Sequence, residues 1–155
     1  MKHRFFIFFS VLIITPLLFS QQKTNQNELI NTLQKVNNYW QTEHPDPGNA
    51  FWDNAAYQTG NMEAYFMTKH PAYLQYALKW AEKNEWKGAK GSDPTKWKYK
   101  YGESAEYVLF GDWQICFQTY IDLYNIAPDA KKTERAKEVM EYQMNTVRND
   151  YWWWV

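Results

Sequence analysis

Two short stretches carry carboxylates beside large aromatic rings, and both stand where an apolar helical pattern begins. In "FGDWQICFQTY", Asp112 follows a glycine and Trp113 and Gln114 follow it; in "AFWDNAAY", Trp52, Asp53 and Asn54 repeat the theme. A carboxylate at a helix start commonly caps the free backbone N–H groups. Aimed into a cleft beside a tryptophan, the same group is desolvated, and its pKa rises toward the range useful for acid–base chemistry. The two roles are compatible for Asp112. Asp53 reads equally as a plain cap, with Trp52 as a hydrophobic staple on its helix.

Other candidates are weaker. "KWKYKY" interleaves Lys96, Lys98 and Lys100 with Trp97, Tyr99 and Tyr101. That pattern suits an anionic sugar, or a solvated β-like loop with no ligand. Single-stranded nucleic acid is the remaining use of such interleaving, but the charge balance disfavours it. The chain has 17 basic and 17 acidic residues; without Lys2 and Arg4 of the leader these become 15 and 17, a net −2. No nucleic-acid partner is expected of so neutral a chain. Glu43, His44 and Asp46 cluster across two prolines, with no common metal spacing, so no metal site is expected. Cys116, the single cysteine, lies on an apolar helix with no histidine nearby in sequence and reads as buried and inert.

The elements that must position these residues are helical. Apolar residues recur at helical spacing over Asn27 to about Trp40, Trp52 to Thr68, Pro71 to about Asn84, Gly111 to about Tyr124 and Thr133 to about Asn145. Expected inward faces include Tyr57, Met62, Tyr65 and Phe66, then Ile115, Phe117, Tyr120, Ile121 and Tyr124, then Ala136, Val139, Met140 and Met144. Proline turns separate the helices, and Trp86 to Gly102 is a long irregular segment. Asp53 with Asp112, Pro71 with Pro128 and Ala77 with Ala136 define a helical-hairpin repeat of about 60 residues.

The first twenty residues have the layout of a secretory signal peptide: Lys2 and Arg4, an apolar run from Phe5 to Phe19, then Ser20. The expected organisation is therefore a leader over 1–20 and a helical domain over 21–155. The mature chain would be periplasmic or secreted, with no stable membrane span after cleavage. The chain closes on "YWWWV", where the first helix of another hairpin is due. Two hairpins rarely make a finished structure, and a closing face should be polar; the reading is a truncated sequence, inactive and poorly soluble as an isolated piece.

The blocks "FWDNAAYQTGNMEAYFMTKHPAYLQYALKWAEKNEW", "GDWQICFQTYIDLY" and "YWWWV" resemble the unsaturated rhamnogalacturonyl hydrolases of glycoside hydrolase family 105. These are related to the unsaturated glucuronyl hydrolases of family 88. The resemblance covers about Leu29 to Val155. It implies an all-α (α/α)6 barrel, of which this chain carries about two hairpins, with the active site at one end of the inner helices. It also implies a reaction: hydration of the vinyl ether in a 4,5-unsaturated galacturonyl residue at the end of a pectin fragment, with no metal or organic cofactor. Asp112 matches one of the family's two aspartates. The principal acid–base lies in a block resembling "W-x-D-x-L-Y-M", which falls immediately after Val155 when "WWWV" is laid on it. Trp52, Asp53 and Asn54 match the segment that contacts the sugar, without its His- and Gln-bearing form. Trp113, Gln114, Trp153 and Trp154 complete the expected sugar-binding set. Two alternatives stand beside this reading. One is an unsaturated glucuronyl hydrolase acting on another acidic polysaccharide; the other is a non-catalytic helical module that binds sugars or proteins.

Overall fold

A computed structural model describes residues 25–146. Every regular element among them is helical. The chain divides after Glu43 into two compact units. The first contributes helix α1, residues 25–43, in which Thr32 and Thr42 turn their hydroxyls back to the carbonyls of Glu28 and Asn38.

The second unit holds α2 (Trp52–Thr68), α3 (Pro71–Lys83), α4 (Cys116–Ile126) and α5 (Lys131–Asn145). These form two hairpins, with α2 packed on α3, α4 on α5, and α2 on α4. The first hairpin is tight because both helix ends suit a two-residue turn. Lys69 closes α2 in the left-handed region at φ 56°, its N–H bonded to the Tyr65 carbonyl at 2.7 Å, and Pro71 supplies a preset φ at the first position of α3. α3 ends in a Schellman motif: Trp86 N–H reaches the Ala81 carbonyl and Glu85 N–H the Glu82 carbonyl, both at 3.0 Å. Glu85, at φ 56°, occupies the position usually given to glycine.

The core is aromatic. Trp80, Tyr73, Tyr120 and Met62 are fully enclosed, and the Trp80 and Trp86 rings both pack on Tyr120, with centroids 5.4 and 5.5 Å away. Some polar groups inside are tied, while others, such as Gln58 Nε2 and Thr119 Oγ1, have no hydrogen-bond partner among the described residues. Asn61 donates to the Tyr73 carbonyl at 2.8 Å. The buried Lys132 ammonium donates to the carbonyls of Leu123 and Ala127, so a cation sits on the negative end of α4.

Two expectations need correcting. The helix expected from Gly111 begins as a separate 3-10 turn, Gly111–Trp113, and the α-helix starts only at Cys116. The phase of the second hairpin also differs. Ile115, Ile121, Met140 and Met144 are exposed (38%, 41%, 52% and 80%), while Cys116, Leu123 and Val139 are inside. Sequence spacing gave α4 a broad apolar surface, and packing on α2 takes only the side bearing Cys116, Phe117, Thr119, Tyr120 and Leu123.

The irregular chain between α3 and α4 is held by close backbone approach. A Cβ on Gly88 would lie 1.9 Å from the Trp113 carbonyl oxygen, so only glycine lets this strand of loop lie against the 3-10 turn. Gly88→Ala is expected to lose at least about 2 kcal/mol. Gly60, inside α2 with open space around it, gives the opposite sign: Gly60→Ala should gain about 0.5–1 kcal/mol. Urea unfolding of both variants checks the pair.

Candidate active site

The site is built at the start of α2 and the 3-10 turn before α4. Phe51 precedes α2 with an extended backbone, and its ring packs on Trp113 with centroids 4.7 Å apart. Both rings are buried. That contact brings Trp52, Asp53 and Asn54 to the same end of the unit as Asp112, Trp113 and Gln114.

The loop entering α2 is fastened from α3. The Trp80 indole N–H donates to the Asn49 carbonyl at 2.8 Å, Tyr76 hydroxyl to the His44 carbonyl at 2.7 Å, and Lys79 ammonium to the Pro45 carbonyl at 2.7 Å. Asn84 donates to the Gly48 carbonyl. Asp46 pairs with Lys83 and accepts from Gly48 N–H. The Lys83 hydrogen bond, followed by that of Gly48, holds the Asp46 carboxyl below its usual range. This ion pair is complete at neutral pH and lost as acid carries the pH down through the lowered value. His44 and Asp46 therefore serve the loop.

Asn49 organises the helix start. Its side-chain oxygen accepts from Phe51 N–H at 3.1 Å and from the Asn54 amide at 3.0 Å. Neither aspartate has the expected capping role. Phe51 is the residue before the helix, and Asp53, within the first turn, accepts from Asn54 N–H at 2.8 Å. Trp52 is the first helical residue and is 49% exposed, with its ring available to solvent. That exposure replaces the expected staple.

Asp112 lies inside the 3-10 turn, half-buried, with Phe110 before it. Its carboxylate makes no hydrogen bond among the described residues, so it is left free for a ligand. Trp113 beside it is held by its indole N–H on the Gly102 carbonyl at 2.9 Å. Gln114 donates to the Val108 carbonyl at 3.3 Å and braces the loop. The 98–110 loop curls against itself, Lys98 N–H on the Glu106 carbonyl and Leu109 N–H on the Lys98 carbonyl. Trp153 and Trp154 lie outside the described residues.

Two lysines of the interleaved loop are committed locally: Lys96 to Asp93, and Lys98 to Glu106 with its ammonium over the Tyr107 ring. One residue the sequence reading passed over, Asn49, belongs to this end, as does Tyr101 of the interleaved run. Asn49 sits in a proline-rich turn and gave no motif. Tyr101, part of that alternating run, is 66% exposed, edge-on to Phe110.

Cys116 is enclosed, donating to the Trp113 carbonyl at 3.2 Å. Burial pushes its thiol up to about 12, which removes it as a nucleophile at neutral pH.

With this geometry in place, the comparisons identify the class. The sequence profile of Glycosyl Hydrolase Family 88 matches residues 20–155, and the chain belongs to that family. It is similar to a solved structure named Polysaccharide Lyase, at 66% identity and a TM-score of 0.78 over 82% of this chain and 36% of the other. It is also similar to a Glycosyl hydrolase family 88 from Bacteroides vulgatus, at 53% identity and a TM-score of 0.78 over 83% and 37%. The chain thus spans little more than a third of the length of either structure. A comparison with curated proteins returns no match.

Two measurements check the site's supports. Asn49→Ala should cost about 1 kcal/mol and speed amide hydrogen exchange from Phe51 to Asn54. Because the unfolded thiol titrates near 9.0 and the folded one near 12, the unfolded state releases its proton first. The contribution of buried Cys116 is therefore complete below about pH 9 and lost as pH rises toward 12. Alkylation of the native protein at pH 8 should track global unfolding.

Proposed function

We propose that this chain forms the first part of the catalytic domain of an unsaturated uronyl hydrolase, with residues 1–20 as a cleaved leader to the periplasm or exterior. The carrying observation is the Phe51–Trp113 contact. It sets an exposed tryptophan and Asp53 at the end where Asp112 stands unengaged. Membership in a glycosyl hydrolase family supports the reaction class. The substrate read from the sequence resemblance is a 4,5-unsaturated galacturonyl residue on a rhamnogalacturonan fragment.

In that reaction C4 of the vinyl ether takes a proton, and water adds at C5 while giving its own proton to the conjugate base. The resulting hemiketal opens, and the sugar attached at C1 leaves. Two acid–base events at adjacent carbons suit a rim where carboxylates face one ring. Asp112 contributes one of them, and Trp52 offers a face for the sugar. This is not direct displacement at the anomeric carbon, the route of most two-carboxylate glycosidases. An unsaturated glucuronyl residue would use the same atoms, and paired substrates separate the two.

The 66%-identical structure named as a lyase supplies a second reading. Elimination creates the conjugated double bond that hydration destroys. One ultraviolet assay therefore gives opposite signs: absorbance falls for the hydrolase on unsaturated oligosaccharides and rises for a lyase on saturated polymer. A module that binds sugar without chemistry changes neither. With the intact protein we expect the fall, and Asp112→Asn should lower kcat by about 10²–10⁴-fold with the fold unchanged by circular dichroism.

A further inference from the structure

Arg135 lies on α5, and only 7% of it reaches solvent. Its Nη1 pairs with a Glu138 carboxylate oxygen at 2.6 Å. Its Nη2 crosses to the loop after α3, donating to the Ala89 carbonyl at 3.2 Å and to the Gly91 carbonyl. The central guanidinium carbon lies over the Trp97 ring, 4.6 Å from its centroid. Nε has no hydrogen-bond partner among the described residues. Replacing a buried ion pair by apolar packing is often neutral for stability, and this pair also keeps an unsatisfied N–H. A planar fork supplies something an apolar side chain does not: two carbonyls and a stacked ring fixed at once. The contribution of Arg135 is therefore to geometry more than to stability.

That geometry leads to Asp112 by two routes. Gly88, next to Ala89, lies on the turn before α4. A Cβ there would stand 1.9 Å from the Trp113 carbonyl oxygen and 3.4 Å from Cys116 Sγ. Gly91 N–H donates to the Ala105 carbonyl at 2.7 Å, in the loop whose Gly102 carbonyl accepts the Trp113 indole N–H. Residues 88–91 thus bear on the Trp113 backbone directly and on its ring through the 98–110 loop. Asp112 is the preceding residue, and its carboxylate makes no hydrogen bond among the described residues, so the turn alone sets its position. Tyr120 separately holds the Lys87 carbonyl, which keeps one end of the segment anchored when Arg135 is lost.

We propose that Arg135 is a positioning residue, which from α5 sets the placement of Asp112 through residues 88–91. It touches no substrate. This rests on the role given to Asp112 above and assigns part of that role's efficiency to a side chain outside the site.

The test compares Arg135→Met and Arg135→Lys with Val139→Ala, a truncation in the enclosed core of the same helix, all in the intact protein. Methionine keeps apolar contact with Trp97 and loses both carbonyl bonds. Lysine keeps the charge without the fork, and it carries the test should the methionine variant not fold. Circular dichroism and urea unfolding give the fold and stability of each. The first readout is hydration of unsaturated oligosaccharides. In both Arg135 variants kcat should fall about 10²-fold, the cost of a small misplacement of a reacting group, with KM little changed; Val139→Ala keeps its kcat. The second readout, alkylation of Cys116 by iodoacetamide at pH 8, needs no substrate. Because Gly88 lies against the sulfur, loosening 88–91 should speed alkylation beyond what the loss of global stability accounts for. In Val139→Ala the two changes should match. Unchanged kcat in the Arg135 variants, a loss no greater than that of Val139→Ala, or alkylation that follows global stability in every variant would overturn the proposal. If the wild-type protein hydrates no unsaturated substrate, the proposed reaction fails, and the alkylation result decides by itself whether Arg135 places the turn.

Discussion

The Trp80 indole joins three parts of the fold that share no regular backbone pairing. Its N–H holds the Asn49 carbonyl in the loop before α2, and its ring lies on Tyr120 of α4. Tyr120 passes the constraint on, its hydroxyl donating to the Lys87 carbonyl at 3.0 Å. Both side chains are fully enclosed. A buried indole N–H or phenol left unpaired is costly, so these two hydrogen bonds are fixed once the rings are packed. The loops at either end of those bonds carry the two halves of the site. Aromatic packing thereby sets the spacing of the rim, with no contact between Asp53 and Asp112 required.

The segment from Asn84 to Ile115 would be hard to hold in place by hydrophobic burial alone. Long loops expose backbone groups that need partners, and here side chains from outside supply them. Arg135 of α5 is buried, donates to the carbonyls of Ala89 and Gly91, and stacks its guanidinium on Trp97, 4.6 Å from the ring centroid. Trp97 in turn donates to Gly91. One planar cation thus satisfies two carbonyls and covers a ring, which lysine could not do. The outer helix α5 therefore supports the site at a distance. It orders the loop that ends in Tyr101 and Asp112.

Helix boundaries were legible where local chemistry is strong. Trp52–Thr68 and Pro71 stand where the apolar period and the proline put them, because both signals are local. The side of α4 that turns inward was not legible. Ile115 and Ile121 are as apolar as Cys116 and Leu123, and the choice between them is made by the neighbouring helix α2. The aspartates show the same limit. An Asp after Gly at the head of an apolar run satisfies the composition of a cap, yet the 3-10 turn at Gly111–Trp113 leaves three positions between Asp112 and α4. That turn is fixed by Gly88 lying on the Trp113 carbonyl, a contact across more than twenty residues that no local pattern encodes. Motif likeness pointed to the two segments that the Phe51–Trp113 contact joins; Asn49, whose importance comes only from its partners, had no such signal.

The distribution of charge at the rim follows from the same packing. Two of the three lysines that composition offers to an acidic sugar, Lys96 and Lys98, are drawn to Asp93 and Glu106, each pair at the surface, where it adds little stability. Their effect is instead to cancel the charge of those two lysines locally. Trp52 and Tyr101 are the two exposed rings on these segments, and both are ordered by backbone they do not themselves anchor. Rigidity comes from the buried Phe51 and the partly buried Phe110, each one residue outside its helical turn. Setting an exposed ring beside one packed on the core lets the core fix the position of this surface.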